Sequence, residues 1–269
     1  MALDESAAAT IGHMRQPSPP SATRHAWLLV AIVAATAGGV ALLPPLAQDA
    51  AYHRFADTRD ALGVTHGWNV VSNVPFLLAG LAGLTVCRRP DLSARRAWQV
   101  AFTGIALVSL GSAWYHHAPS SDSLVWDRLP MTVGFMGLFA AVLAGPLGAA
   151  AAGRTLGPAV VTGLASVAWW HWTGDLRPYV WVQFTPLLII ATVIAIDPRR
   201  PASRWLLAAL LLYLAAKAFE SADATLFTGT GGLVGGHALK HLAAAAACGL
   251  LVAAAERSTV GVTAARSRP

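Results

Sequence analysis

Hydrophobic residues come in long blocks along this chain, with the polar residues gathered at the block ends. Crossing a hydrocarbon core takes about 17 to 25 consecutive apolar residues as a helix. Eight runs of roughly that length follow one another at 26–47, 68–87, 97–116, 127–144, 157–172, 178–196, 204–220 and 237–255. The pattern predicts an all-α, polytopic membrane protein. The fifth run is short and ends in Trp169, Trp170, His171 and Trp172, the composition of an interfacial aromatic belt. Residues 1–25 contain Pro and Ser but no apolar core, so they read as a disordered tail rather than a signal peptide. The transmembrane domain is expected over 26–255, with a core over 68–255, and residues 256–269 read as a short basic tail.

Composition agrees: 55% of the 269 residues are hydrophobic and 12% charged, against roughly 25% charged in soluble domains. The net charge of +6 raises nucleic acid as a partner, but membrane topology accounts for it better. The arginines at 15, 24, 88, 89, 95, 96, 154, 199, 200 and 204, and those of the C-terminal tail, fall on one side of an eight-span arrangement. Only Arg54, Arg59 and Arg177 fall on the other. By the positive-inside rule both termini are then cytoplasmic. Cys87 and Cys248 belong to apolar segments, form no Cys-x-x-Cys motif and read as small hydrophobes.

With that topology the intramembrane polar residues collect at the outward ends of the spans. The second opens with Asn69, Ser72 and Asn73; the third closes with Ser112, His116 and His117; the fourth opens with Asp127 and Arg128. The seventh closes with Lys217, Glu220 and Asp223, and the eighth opens with His237 and His241. Ionisable groups in a bilayer are expensive and default to a functional reading. For His117, His171, Asp223 and Arg128 the competing reading is an interfacial position, for Lys217 and Glu220 an intrahelical ion pair, and for His53 and His66 an ordinary loop residue. A proton relay through Lys217, Glu220 and Asp127 is a weaker alternative, since no broken helices in repeated halves accompany it.

A spacing of four places His237 and His241 on one helical face, and Ser112 and His116 likewise. His-x3-His on a helix serves packing as well as metal binding. An open zinc site needs three protein ligands, and His116 would complete an all-nitrogen set. A metal there would lower the pKa of bound water and polarise a carbonyl. Asp127 could take the proton or orient the water, and Ser112 could donate to the developing oxyanion.

Ser112-x3-His116, Asp127 in Trp126-Asp127-Arg128-Leu129-Pro130, and His237-x3-His241 resemble the alkaline ceramidases and the wider superfamily of seven-helix membrane hydrolases that includes the adiponectin receptors. Asn69-Val70-Val71-Ser72-Asn73 is similar to the family's Asn-Thr-x-Ser-Asn block. The resemblance runs from about Asn69 to Ala255 and makes the first span an N-terminal addition to seven core helices. It implies an intramembrane zinc amidase that cleaves the N-acyl bond of ceramide to a fatty acid and a sphingoid base. His116, His237 and His241 would be the zinc ligands and Ser112 and Asp127 the other catalytic positions. Asn69, Ser72, Asn73, Lys217 and Glu220 would support them from behind. Family members that bind calcium carry a Glu three residues before the Asn block; here His66 stands there, and Asp57 and Asp60 upstream form no Asp-Trp-x-Glu pattern. That departure argues against calcium dependence.

The expected function is therefore hydrolysis of a membrane lipid amide, ceramide or a related N-acyl lipid, at a site facing the periplasm or cell exterior. A lipid ester would use the same chemistry. The competing class is a receptor-like or structural membrane protein in which zinc staples two helices, and Ser112 and Asp127 discriminate the two.

Overall fold

The computed structural model describes residues 19–61 and 63–258. Its α-helices are α1 (Pro19–Leu42), α2 (Gly67–Val71), α3 (Val74–Val86), α4 (Arg95–His117), α5 (Ser121–Leu147), α6 (Ala149–Thr173), α7 (Arg177–Ile196), α8 (Ser203–Ser221), α9 (Asp223–Gly229) and α10 (Gly236–Glu256). A single 3-10 turn, Ala50–His53, lies between α1 and α2.

Among the described residues six helical segments are long and apolar enough to cross a membrane, and a seventh qualifies if α8 and α9, bent by 76°, count as one span. The remaining expected span corresponds to α6, which is a helix but less apolar than the others. The fifth run is also not short: α6 extends back to Ala149 and is 25 residues long. Alanines flank the apolar stretch on its N-terminal side, and their high helix propensity continues the helix where hydropathy has already faded. The first helix begins at Pro19 and ends at Leu42, seven residues earlier than expected at its start and five at its end. Residues 1–18 and 259–269 of the expected tails lie outside the described residues.

Local chemistry explains several boundaries. The predicted second span is present as one segment, Gly67–Val86, with the helical ladder interrupted between α2 and α3 at Ser72-Asn73, where the Asn73 side-chain amide donates to the Asn69 carbonyl over 2.7 Å. The α5 helix starts at Ser121, six residues before Asp127, because Ser120 and Ser123 close a capping box.

The helices pack around one apolar core drawn from α1, α3, α4, α5, α7, α8 and α10, with Trp98 stacked on Phe102 at 5.6 Å near its base. The outward faces are aliphatic, as at Leu81, Leu110 and Leu211, which suits a lipid solvent. Two glycines set the helix spacing that matters for the site. A Cβ on Gly111 would sit 2.0 Å from the Trp126 carbonyl oxygen, so its absence lets α4 and α5 touch backbone to backbone. A Cβ on Gly236 would meet the Phe219 carbonyl oxygen at 2.2 Å, so α10 begins directly against the end of α8.

Candidate metal centre

Those two close approaches converge three imidazoles. His116 from α4 and His237 and His241 from α10 are buried. Their ring centroids form a near-equilateral triangle of 4.7, 4.8 and 4.9 Å. One nitrogen of each lies within 4.8 Å of the others, and Nε2 of His116 is 3.3 Å from Nε2 of His237. Nitrogens bound tetrahedrally to zinc at about 2.0–2.1 Å are about 3.3–3.4 Å apart. The donor set and its convergence therefore fit a metal ion. Among the described residues this is the one His, Cys or acidic cluster of that kind.

The rings are oriented from behind. Ser72 Oγ lies 2.8 Å from Nδ1 of His241 and 3.2 Å from the Asn69 carbonyl oxygen. The chain of donors runs from the ring N–H to the hydroxyl and from the hydroxyl to the carbonyl, which leaves Nε2 of His241 free as a ligand. The His237 backbone N–H donates to Asp223 Oδ1 over 2.8 Å, while Asp223 Oδ2 accepts from the Ala56 N–H over 2.9 Å. Asp223 is thus the clamp between the α10 N-terminus and the loop before α2, rather than an interfacial charge. From that loop Phe55 lays its ring 4.8 Å from His116 and 4.5 Å from His237.

Ser112 and Asp127 stand beside the trio, both buried and both lining the same cavity. Together with His241 they line a cavity of about 260 Å³ that runs inward between apolar side chains such as Ile105, Phe135, Leu187 and Leu251. Its polar end also carries Tyr52, Arg128, Lys217, Glu220 and Lys240.

The Lys217–Glu220 ion pair within α8 is present, but it is only half of a larger group. Lys240 on α10 donates to Glu220 over 2.8 Å, and its Nζ is 3.1 Å from Nε2 of His237. Lys240 is legible in the sequence as a basic residue inside the eighth apolar run, but nothing in the sequence assigns it to the site. Asn69 and Asn73 are fully buried, and neither side-chain oxygen has a partner among the described residues.

Two aromatic and loop assignments need correction. Trp170 is 3% exposed and stacks over Arg128 at 4.0 Å, so it faces the bundle and does not join Trp169 and Trp172 in an outer belt. His53 is not an idle loop residue: its Nδ1 is 3.0 Å from the Tyr115 hydroxyl and its Nε2 3.2 Å from Ser121 Oγ. Burial, with the Arg128 cation nearby, holds His53 below the usual imidazole range. In the same loop the Asp57 carboxylate is engaged by Arg59, which keeps it below the ordinary carboxylate range. His66, by contrast, is a backbone feature, adopting the left-handed region at φ 50° as the residue before α2.

Fold and site together define an all-helical, multi-pass membrane protein with a buried histidine centre that meets an apolar cavity at His241. The family model described as Ceramidase matches residues 64–266, and the chain belongs to that family. Comparison with curated proteins gives no match. The match begins after the loop that supplies Tyr52, His53, Phe55 and Asp57, so this chain completes its site with residues from outside the matched region.

Proposed function

We propose that the protein is an intramembrane, zinc-dependent amidohydrolase that cleaves the N-acyl bond of ceramide or a related lipid. The observation that carries this reading is the burial of Ser112 and Asp127 beside three converging imidazoles, one of which, His241, lines the same apolar cavity. His116, His237 and His241 would hold the metal. When bound, zinc supplies a polarised carbonyl and a water acidic enough to attack at neutral pH.

The remaining chemistry belongs to the chain. Asp127 accepts the proton of the attacking water and passes it towards the leaving amine. Ser112 donates to the oxygen that gains charge. The cavity holds the acyl chain and excludes bulk water from the reacting carbonyl. Phe55 closes the loop side, and Ser72, Asn69, Asn73, Lys217 and Glu220 fix the surrounding rings and charges. In this reading the helices cross the membrane eight times with α6 included, both tails are cytoplasmic, and the histidine centre faces the outer side. A zinc staple without hydrolysis would leave the placement of Ser112 and Asp127 at the cavity end without a purpose.

The test is metal analysis of the purified protein combined with a mass-spectrometric screen of lipid amides and esters. Ser112→Ala and Asp127→Ala proteins are expected to keep zinc and lose turnover. Unchanged turnover in either, or a fully folded protein that binds no metal, refutes the assignment.

A further inference from the structure

Among the described residues, Arg128 is the cation lining the cavity that forms no ion pair. Lys217 and Lys240 both pair with Glu220. Arg128 is 5% exposed and lines the cavity. Its Nη2 donates to Gln48 Oε1 over 2.6 Å, while Nη1 has no hydrogen-bond partner among the described residues. No carboxylate forms an ion pair with it among those residues either. The rings of Trp170, Tyr179 and Tyr52, at 4.0, 4.5 and 5.8 Å, hold the guanidinium by its face and leave its edge to find an acceptor.

A buried cation without a partner is costly, and an in-plane edge of N–H donors matches a carboxylate better than any neutral group. Arg128 follows Asp127 directly in the chain, about 3.8 Å away between Cα atoms. A carboxylate that reaches its free edge while an amide is held beside Ser112 and Asp127 belongs to the amine portion of the lipid, because the acyl chain takes the apolar part of the same cavity.

We infer that the preferred substrate class is an N-acyl amino acid lipid, with Arg128 binding the carboxylate that lies one carbon from the scissile amide nitrogen. This rests on the hydrolase reading above. Water adds its oxygen to the acyl carbon, the C–N bond breaks, and the protons of water end on the departing nitrogen. The products are a fatty acid and a free amino acid. Ceramide carries only neutral hydroxyls at the corresponding place and would leave the Arg128 edge unmatched.

The test uses the full chain in phosphatidylcholine nanodiscs. The zinc-loaded Ser112→Ala protein is titrated with N-palmitoylglycine and with N-palmitoylethanolamine, which differ in a carboxylate against a hydroxymethyl group. Tighter binding of the acid by about tenfold is expected from a charge-assisted bond to a buried guanidinium. The preference should vanish when Arg128→Gln is added and return in part with Arg128→Lys. Equal binding of the two lipids overturns the inference and needs no Arg128 variant to do so. A preference that survives Arg128→Gln also overturns it. Wild-type turnover of both lipids and of ceramide is measured alongside. Acid-selective binding with no cleavage of any of them would sink the hydrolase reading and keep Arg128 as an anion site. Cleavage without acid selectivity would do the reverse.

Discussion

The Ser72 hydroxyl lies 2.8 Å from Nδ1 of His241, across 169 residues of sequence, and it sits at the break that divides α2 from α3. The break is what turns a serine of an otherwise helical span towards the histidine centre. Replacing Ser72 with Ala removes the acceptor that fixes the ring and its tautomer. Zinc affinity is expected to fall by about 10- to 100-fold, read by competition with a chromogenic chelator. Unchanged affinity would mean that packing alone orients His241.

Gly236→Ala addresses how α10 is seated. The added methyl would overlap the Phe219 carbonyl, which is backbone and cannot swing aside. A loss of about 1–3 kcal/mol is expected for overpacking of this kind, as a lowered thermal transition, together with weaker metal retention because His237 is the next residue.

Phe55→Ala empties the space against His116 and His237. Truncation of a buried phenylalanine costs about 3–5 kcal/mol. The variant is expected to melt earlier and to exchange its metal faster, since the ring stands between the imidazoles and the loop surface. A variant with wild-type melting and exchange would show that the loop is dispensable.

Asp175 governs a different joint. Its carboxylate accepts from Arg177 and from the Leu46 N–H, while Arg177 reaches the Leu43 carbonyl over 2.6 Å, so the pair ties the end of α1 to the connection between α6 and α7. The Arg177 guanidinium holds the Asp175 carboxyl well below the usual range. A depressed folded pKa stabilises fully above the unfolded value of about 3.9 and is lost as pH falls through the folded one. Spin-label distances between α1 and α7 are therefore expected to stay narrow at neutral pH and broaden in acid. Asp175→Asn should broaden them at every pH.

Hydropathy alone located seven of the helical cores well and exposed the repeating block pattern, because lipid burial selects long apolar runs one segment at a time. The same local logic made His237 and His241 visible as a pair, since a spacing of four fixes a shared face without reference to the rest of the fold. It misjudged α6, whose helix is carried by alanine and whose Trp170 turns inward to Arg128. It does not show the interruption of the ladder inside the single span Gly67–Val86, where two side chains bond to backbone groups in a run that hydropathy reads as uniform.

By itself the sequence determined the helical class, the metal-type spacing on α10 and the residue types of Ser112, His116 and Asp127, all of which depend on neighbours within a few positions. Tertiary structure alone decided that His116 reaches His237, that Lys240 shares Glu220 with Lys217, that Phe55 roofs the imidazoles and that Arg128 is left facing the cavity. Those contacts join segments far apart in the chain. They depend on how closely backbones approach at Gly111 and Gly236, a property of packed helices that no single stretch of residues carries.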